Sequence, residues 1–332
     1  MHAISVENLS KAYTYHEKAT GLKGSAGSFF RRTTLTKHAV RSISFEIEEG
    51  GIVGFIGPNG AGKTTTLKML SGILYPTSGT ASVIGFVPWQ RKTQFKMQFS
   101  LVMGQKNQLW WDLPACDSFY LNKCIYELGD KEYAATLDEL TALLDVKHLL
   151  RVQVRRLSLG ERMKMELIAA LLHKPRIMFL DEPTLGLDVV SQRRMRDFLK
   201  QYNAAYRTTI MLTSHYMDDI ADLCKRVIVI NHGTIVYDGD LDRLSDLFGQ
   251  HKLMKLRFSS PVTAETLCEY GRLRDFDGIA ATIEVPKCSV RERSRSALDL
   301  LPVVDCNIED VPIEEAVSLL YQGNDHRRDP HA

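Results

Sequence analysis

The chain has 332 residues, of which 44% are hydrophobic and 25% charged, and its formal net charge is +2. This is the composition of an ordinary soluble globular protein, and the length is sufficient for two domains. A charge so close to neutral gives no indication of nucleic acid or of acidic partners.

The membrane and redox signals of the sequence are both negative. No apolar run approaches the roughly 20 residues that a bilayer-spanning helix requires, and the N-terminus lacks the basic-then-apolar pattern of a signal peptide. We therefore expect that another chain crosses the bilayer if the protein serves a membrane process. The cysteines form neither a CxxC pair nor a metal-like spacing, so we interpret them as reduced thiols of a cytosolic protein. They are Cys116, Cys124, Cys224, Cys268, Cys288 and Cys306.

The N-terminal part of the chain predicts strands around one irregular segment. Alternating apolar and polar residues over 4–15 and again over 39–48 indicate two strands. Between them, residues 16–37 are rich in Gly, Ser, Lys and Arg, with Phe29 and Phe30 in the middle. We interpret this insertion as a long surface loop, because it has no sustained helical period. The alternative is an aromatic and basic segment that contacts a membrane partner or lipid headgroups.

A glycine-rich loop, GPNGAGKTT at 57–65, lies between an apolar strand over 51–56 and a helical pattern that begins at Thr66. Glycines let the backbone bend so that several N–H groups point at a phosphate, and the following helix directs its positive end to the same place. Lys63 supplies a positive charge for the β- and γ-phosphates, and Thr64 offers a hydroxyl to Mg²⁺. The pattern therefore predicts a nucleotide-binding P-loop. Its remaining predicted contacts to the nucleotide are Asn59, Gly60, Gly62 and Thr65.

Strands and helices alternate along the rest of the first 240 residues. Continuous apolar strands are predicted at 176–180 and 208–213, as in a buried parallel sheet. A further strand is indicated at 97–103, and helical patterns occur at 117–150 and 156–172. Such alternation is typical of an α/β fold with a mainly parallel sheet.

The sequence changes character after the predicted parallel sheet. Strands and helices mix there, ending with a helix from Pro312 to just before Gly323, which has proline in its first turn and glycine past its end. We therefore predict one domain over 1–240 and a small α+β domain over 241–323. The polar and basic residues 324–332 are expected to form a flexible tail.

Polar residues directly after three of the predicted strands have the chemistry of a phosphate-hydrolysing site. Asp181 ends an apolar strand and would hold Mg²⁺ through water, while the adjacent Glu182 would polarise the attacking water as general base. Gln105 would sense Mg²⁺ and the γ-phosphate through its amide oxygen, and His215 would hydrogen-bond the γ-phosphate and position water. The alternatives are a surface carboxylate pair or helix cap, and a structural histidine. The apolar strands that precede these residues favour the functional interpretation.

The segment Leu-Ser-Leu-Gly-Glu at 157–161 resembles the signature motif of the ATP-binding cassette (ABC) family, usually written LSGGQ. The resemblance covers residues 4 to about 240. In particular, the chain is similar to ATPase subunits of bacterial drug or viologen exporters whose membrane part is a separate chain. The motifs of that family stand in the same order here: an aromatic residue at Tyr13, the P-loop, Gln105, the signature, Asp181-Glu182, the loop Gly186-Leu187-Asp188, and His215.

This resemblance implies both a fold and a set of ligands. The fold is a P-loop ABC ATPase domain, which consists of a RecA-like core with a parallel sheet, an antiparallel β subdomain and a helical subdomain over about 106–172. The implied ligands are ATP and Mg²⁺. Tyr13 would stack on the adenine ring, and Tyr15 is a rival for that contact.

The signature implies a site that is divided between two chains. By resemblance, Ser158 and Gly160 grip the γ-phosphate bound to the other subunit, so hydrolysis requires a head-to-tail dimer. A homodimer is the simplest arrangement, and a heterodimer with a related ATPase subunit is the alternative. Leu159 replaces a glycine of the usual motif, so a close backbone approach there is unnecessary or altered. Glu161 replaces glutamine, and we expect it to point away from the nucleotide, because a carboxylate facing phosphate would weaken closure.

An apolar and aromatic stretch follows the predicted γ-phosphate sensor. Trp110 and Trp111 lie in its centre, flanked by Leu109, Leu113 and Pro114. We predict an exposed patch that receives a helix of the permease. The alternative is that these residues pack under the helical subdomain.

The favoured function is the motor subunit of an ABC exporter, bound peripherally at the cytoplasmic face of the cell membrane to integral-membrane permease subunits and not to nucleic acid. ATP binding would close the dimer, and hydrolysis would reopen it. A soluble ABC ATPase acting on ribosomes or DNA is the main alternative, although such proteins usually carry two cassettes, a coiled coil or zinc-binding cysteines. A regulatory nucleotide-binding module without turnover is the other alternative, and Glu182 and His215 argue against it.

Overall fold

The computed structural model describes residues 2–16, 34–104, 106–248, 251–311 and 315. The chain divides into two units, Met1–Asp238 and Gly239–Ala332. Gln105, most of the insertion at 16–37, the helix predicted from Pro312 (except residue 315) and the tail 324–332 lie outside the described residues.

The elements up to residue 240 alternate between strands and helices. The strands are β1 His2–His16, β2 Thr34–Glu48, β3 Ile52–Ile56, β4 Ser78–Val83, β5 Phe99–Met103, β6 Ile177–Asp181, β7 Thr209–Thr213, β8 Arg226–Asn231 and β9 Thr234–Asp240. The helices are α1 Lys63–Leu70, α2 Thr93–Lys96, α3 Ala115–Ile125, α4 Asp130–Leu143, α5 Leu159–Leu171, α6 Val189–Tyr206 and α7 Met217–Leu223.

Six strands form the central sheet in the order β5-β6-β7-β3-β8-β9. The pairs β5–β6, β6–β7, β7–β3 and β3–β8 are all parallel. Strand β7 is buried throughout and β6 is buried up to its last residue, which explains their continuous apolar sequences. The predicted α/β fold with a parallel core is confirmed. In such a sheet the residues that follow β3, β6 and β7 emerge at the same edge.

A second sheet of three strands, in the order β2-β1-β4, packs against this core. Strand β1 pairs antiparallel with both of its neighbours, so the predicted antiparallel subdomain is present. Its buried side chains include Ile4, Val6 and Phe45, and the ring centroid of Phe45 lies 5.9 Å from that of Phe55 in β3. The two sheets therefore share one apolar core.

The helical run predicted over 117–150 is wrong in its continuity, because the structure divides it into α3 and α4. The break lies at 126–129, where Glu127 has a φ of 53° and Gly129 precedes the first residue of α4. A residue in the left-handed region cannot continue a right-handed helix. Helix α4 then ends at Leu143 rather than near residue 150. Apolar periodicity carries no signal for such a break, since both helices bury one face.

The second unit is an α+β fold, as predicted. Its strands are β10 His251–Phe258, β11 Arg272–Phe276, β12 Ala280–Pro286 and β13 Val303–Asp310, and its helices are α8 Leu241–Phe248, α9 Ala264–Cys268 and α10 Val290–Leu300. The strand order is β11-β12-β10-β13, with antiparallel neighbours throughout. From β10 onward this is the β-α-β-β-α-β arrangement of a ferredoxin-like fold. The sequence did not indicate β11, β13 or α10.

Helix α10 could not be predicted from the sequence, because its residues are mostly polar and show no apolar periodicity. One of its residues, Ala297, is fully buried and belongs to the core of the second unit. Leu298 and Leu300 are 52% and 73% exposed. A helix that buries such a narrow stripe has no apolar period to detect.

In the part of the chain that the structure describes, no helix combines the length and apolarity needed to cross a bilayer. All six cysteines are free thiols.

Replacing Ala297 by lysine is expected to destabilise the second unit by about 3 kcal/mol, because the ammonium group would lose its water without gaining a partner. The matched control Leu298→Lys should change the free energy of unfolding by less than about 0.5 kcal/mol. Hydrogen exchange of the amides of β10 and β12, followed by mass spectrometry, measures both effects. Equal loss of protection in the two variants would contradict the packing of α10.

Candidate active site

The P-loop connects the end of β3 to the start of α1. Gly62 precedes the helix with a φ of 112°, and a Cβ at this position would collide with the carbonyl oxygen of Ala39. Among the described residues no side chain caps the N-terminus of α1. The loop therefore presents uncapped backbone N–H groups and the positive end of a helix dipole, which are the features that suit a phosphate.

Lys63 is the buried cation of this loop. Lys63 is only 6% exposed, and its Nζ donates to the carbonyl oxygens of Gly57 at 2.6 Å and Pro58 at 3.2 Å. Burial lowers the pKa of Lys63, and the carboxylates of Glu182 and Asp181 oppose that shift. The ammonium group is thus held inside the loop, where it contributes positive charge toward a bound phosphate.

Asp181 lies at the centre of the site because both of its carboxylate oxygens are engaged. Oδ2 accepts a hydrogen bond of 2.8 Å from the hydroxyl of Thr64, and Oδ1 accepts one of 2.8 Å from the hydroxyl of Thr213. A hydroxyl and a carboxylate are oxygen ligands of the kind that Mg²⁺ prefers. The residues present therefore fit a magnesium ion, which Thr64 and Asp181 would hold.

Glu182 and His215 form a contact pair beside this carboxylate. His215 Nε2 lies 2.7 Å from Glu182 Oε1. Glu182 has a φ of 56°, and its backbone N–H is held by the hydroxyl and the carbonyl oxygen of Thr213, both at 3.1 Å. The structure thus brings together the two residues that the sequence predicts to be catalytic.

A cavity of about 260 Å³ lies over the P-loop. It brings Tyr13 of β1 and Glu182 to the same space, while Tyr15 is not among the described residues that line it. Lys37 of β2 adds a second cation to its wall, which the sequence did not indicate. The cavity is lined by Tyr13, Lys37, Ala39, Asn59, Gly60, Gly62, Lys63, Thr64, Thr65 and Glu182.

The signature residues occupy the N-terminus of α5, and they are not among the described residues that line the cavity. Ser158 is the N-cap: its hydroxyl accepts from the backbone N–H of Glu161 at 3.2 Å. In return, the Glu161 carboxylate accepts from the backbone N–H of Ser158 at 2.8 Å, which completes a capping box. These bonds lower the pKa of Glu161. The carboxylate that replaces the usual glutamine is therefore folded back onto its own helix.

The first turns of α5 and α6 lie side by side. A Cβ on Gly160 would come within 3.1 Å of Ser191 Oγ, and one on Gly186 would meet the side chain of Leu159. Asp188 caps α6 by accepting from the backbone N–H of Ser191 at 3.0 Å. The unusual leucine of the signature thus packs against the loop that follows Glu182.

Gln105 lies outside the described residues, but its neighbour fixes where the chain passes. The backbone N–H of Gly104 donates to the carbonyl oxygen of Asp181 at 2.9 Å. A Cβ at Gly104 would collide with the carbonyl oxygen of Glu182. The chain therefore enters residue 105 in direct contact with the acidic pair.

Two buried polar residues of the site were missed from the sequence. Thr213 is fully buried and links the two acidic residues through its hydroxyl, as described above. Asp219 of α7 is also fully buried, and its carboxylate accepts from the hydroxyls of Thr184 and Ser214 (the latter at 2.8 Å) and from Arg196 at 2.9 Å. It thereby joins the segments after β6 and β7 to helix α6. A threonine in an apolar strand and an aspartate in a short helix carry no signal of these contacts.

The aromatic stretch after Gln105 is exposed in part. Trp110, Trp111 and Leu113 are 52%, 46% and 37% exposed, whereas Leu109 is buried. The prediction of an exposed patch is therefore wrong for Leu109, whose side chain packs inward, while the two tryptophans lie at the surface.

Comparison with known proteins agrees with this architecture. The family described as "ABC transporter" matches residues 40–185, and the family described as "EvrA-like ABC transporter, C-terminal domain" matches residues 250–309. The dimeric structure of a post-hydrolysis state of the ATP-binding cassette MJ0796 bound to ADP and Pi shares the fold, with a TM-score of 0.59 at 19% identity over 71% of this chain and 98% of that chain.

Bacterial relatives match over most of their own length. The bacitracin transport ATP-binding protein BcrA of Bacillus licheniformis is 28% identical over 247 residues, which are 73% of this chain and 79% of BcrA. The ABC transporter ATP-binding protein NatA of Bacillus subtilis (strain 168) is 34% identical over 206 residues, which are 62% of this chain and 83% of NatA. On this similarity and on its motifs, the chain belongs to the family of ABC transporter ATP-binding proteins.

Proposed function

We propose that this ATPase drives an exporter whose membrane-crossing part is a separate chain, and that it works as a dimer with two composite sites. As a member of the family, the chain binds ATP with Mg²⁺ and hydrolyses it. The observation that carries the proposal is the Glu182–His215 pair, 2.7 Å apart at the P-loop cavity. Transport of a compound such as an antibiotic is supported by the relative BcrA, which is named for bacitracin transport, and export as the direction is proposed from the resemblance to drug exporters.

Each residue of the cavity has a role that follows from its position. Lys63 and the N-terminus of α1 hold the β- and γ-phosphates, and the ring of Tyr13 stacks on the adenine. Asn59, Gly60, Gly62 and Thr65 form the loop around the phosphates. Thr64 and Asp181 hold Mg²⁺, which when bound supplies positive charge against the phosphate oxygens.

Glu182 is the general base of the reaction. Its carboxylate accepts the proton of the attacking water, and that water oxygen bonds to the γ-phosphorus as the bond to ADP breaks. His215 keeps the carboxylate in place through the 2.7 Å contact, and by its place in the motif set we assign it the hydrogen bond to the γ-phosphate. For Gln105 we keep the role of γ-phosphate and Mg²⁺ sensor that its motif predicts, and the residue before it, Gly104, donates to the carbonyl oxygen of Asp181.

An exposed apolar cluster around the signature supports the proposed position of the second chain. Leu159 is 36% exposed, and Val189 and Val190, in the first turn of α6, are 78% and 61% exposed. Apolar side chains beside a motif for phosphate recognition are suited to burial by another subunit. A second copy of the chain, placed head to tail, covers them and brings its own P-loop to Ser158 and Gly160.

The permease is proposed to dock in the groove between the parallel-sheet core and α3, α4 and α5, the helices between β5 and β6, which we call the helical part. This groove has a volume of about 500 Å³ and is lined by β5, α2 and the ends of α3 and α5. It contains the hydroxyl of Ser100, which is buried and has no hydrogen-bond partner among the described residues. An amphipathic helix from the membrane chain has the size and chemistry to fill the groove. Gln108 is one of the lining residues, and the exposed Trp110 and Trp111 follow it in the chain, so we include them in the docking surface. Docking there also places the protein at the cytoplasmic face of the membrane.

Replacing Glu182 by glutamine is expected to lower kcat by a factor of about 10²–10⁴, because the water loses its base. ATP binding should persist, so that the variant accumulates as an ATP-bound dimer. Steady-state hydrolysis and light scattering with and without ATP measure the two effects. The matched control is Glu127→Gln, an exposed glutamate of the same unit, which should leave both unchanged. Unaltered turnover in Glu182→Gln would sink the assignment of the base.

Replacing Thr213 by valine is expected to lower kcat about 10- to 100-fold with a smaller change in KM, because a hydroxyl that serves Asp181 and the Glu182 N–H is lost from a buried site. Valine has nearly the same shape, so packing is preserved. The control Thr213→Ser keeps the hydroxyl and should retain most of the activity. A valine variant as active as the serine variant would show that the hydroxyl has no role in hydrolysis.

Replacing both Trp110 and Trp111 by serine is expected to abolish co-purification with an integral-membrane chain, because the docking surface loses its apolar contacts. Purification of the tagged protein from solubilised membranes, with mass spectrometry of the associated chains, measures the effect. The control Leu143→Ser changes a residue that is 44% exposed on α4 and should not affect association. Recovery of the same membrane chain with the double variant would place the docking surface elsewhere.

A further inference from the structure

Helix α5 contains a buried carboxylate that the hydrolysis reaction does not use. Glu166 is 3% exposed. Its Oε1 and Oε2 accept from the backbone N–H of Gln108 at 3.0 and 3.1 Å, and Oε1 also accepts from the N–H of Leu109 at 3.4 Å. In the described part of the chain no lysine or arginine forms an ion pair with it. Burial raises the pKa of Glu166, and the two backbone donors oppose that shift.

A buried carboxylate is costly unless it is well hydrogen-bonded, so the position of Glu166 constrains whatever supplies its donors. Both donors come from one segment, residues 106–114, which we call the tryptophan loop. This loop begins directly after Gln105 and carries the exposed Trp110 and Trp111.

A second contact joins the tryptophan loop to the same helix. The guanidinium group of Arg162, one turn before Glu166, lies 5.4 Å from the ring centroid of Trp111. Such a cation–π contact strengthens the attachment of the loop at a partly exposed site. Helix α5 therefore holds the loop at two points, one at Gln108 and Leu109 and the other at Trp111.

The remaining backbone contacts of the loop also lead mainly to the helical part. Trp110 N–H donates to Ser118 Oγ of α3 at 3.2 Å, and Arg155 N–H donates to the carbonyl oxygen of Trp111 at 3.0 Å. Two contacts reach β5: Gln108 Nε2 donates to the carbonyl oxygen of Leu101 at 2.5 Å, and the backbone N–H of Lys106 donates to that of Met103 at 2.9 Å. The loop is thus attached to β5 at its beginning and to the helical part along the rest of its length.

We propose that Glu166 is a positioning residue that makes the tryptophan loop move with the signature helix, so that engagement of Ser158 on a nucleotide is transmitted to Trp110 and Trp111. The proposal rests on the dimeric mechanism proposed above. Ser158 caps the helix in which Glu166 lies about 12 Å further along the axis, at 1.5 Å per residue. An α-helix of this length is rigid enough to carry a displacement from one residue to the other, and Glu166 converts it into a displacement of the loop.

The test uses the full chain with Trp89→Phe and Glu182→Gln, so that the fluorescence comes from Trp110 and Trp111 and the ATP-bound dimer accumulates. In this parent, ATP with Mg²⁺ is expected to produce dimers and a change in fluorescence together. Adding Glu166→Gln removes the charge and replaces one acceptor oxygen by an NH₂ group that cannot accept, so that one neutral oxygen is left for the N–H groups of Gln108 and Leu109. We expect dimerisation at a similar ATP concentration. The fluorescence change should be about 10-fold smaller, because the charge-assisted hydrogen bonds that attach the tryptophan loop to α5 are lost.

Each outcome of the experiment has one meaning. A Glu166→Gln chain that dimerises with the full fluorescence change overturns the proposal, and so does a parent that dimerises with no change at all. A parent that fails to dimerise with ATP contradicts the proposed function instead. If Glu166→Gln does not fold, Glu166→Asp takes its place, because its shorter side chain keeps the charge and withdraws the oxygens from the loop. An unchanged response in that variant is equally fatal. The control Glu127→Gln should respond as the parent does.

Discussion

The site depends on one carboxylate, that of Asp181, which is held where three neighbouring strands of a parallel sheet end. Asp181 ends β6, its Oδ1 takes a hydrogen bond from Thr213 at the end of β7, and its Oδ2 takes one from Thr64, which follows β3 through the P-loop. The P-loop, the proposed metal ligand Asp181 and the proposed base Glu182 are therefore brought into register by the sheet itself. Because β3 and β6 both pair with β7, a displacement of any one of these strands changes the relative positions of Thr64, Asp181 and Thr213.

Asp181 accepts hydrogen bonds from other elements, whereas the signature serine, Ser158, makes its hydrogen bonds within its own helix. The capping box uses the hydroxyl and the backbone N–H of Ser158 together with Glu161. In the capping bond the serine oxygen is the acceptor, so its O–H stays available as a donor. In the proposed dimer, Ser158 would therefore donate to a phosphate bound to the second chain without giving up its cap. Glutamate in place of glutamine makes the cap stronger than an uncharged side chain would. The charge of Glu161 thus helps to keep the N-terminus of the signature helix in shape.

Some residues of the site could be predicted from the sequence because their role follows from their position after a strand. Others could not, because their role depends on a neighbour that only the tertiary structure brings close. The P-loop, Asp181-Glu182 and His215 each follow an apolar strand, and the common edge of a parallel sheet brings such residues together. Thr213, Asp219 and Glu166 act as partners of other motifs instead. Each stands in an element whose sequence is explained by packing, so only the fold shows what its polar atoms contact. Likewise, the break at Glu127 and the polar helix α10 follow from local backbone conformation and from a single buried alanine, neither of which leaves a periodic signal.

The two buried carboxylates of the first unit, Asp219 and Glu166, stabilise different parts of it in different ways. Asp219 is paired with Arg196 and two hydroxyls, so it is a buried ion pair whose geometry tolerates little change without leaving a charge uncompensated. It fixes the segments after β6 and β7 to each other and to α6, which keeps Glu182 and His215 in one rigid body. Glu166 has only backbone donors, both from one loop, and so fixes that loop to α5. One buried carboxylate therefore holds the two residues predicted to be catalytic in a common framework, while the other ties the exposed tryptophans to the helix that begins with the signature.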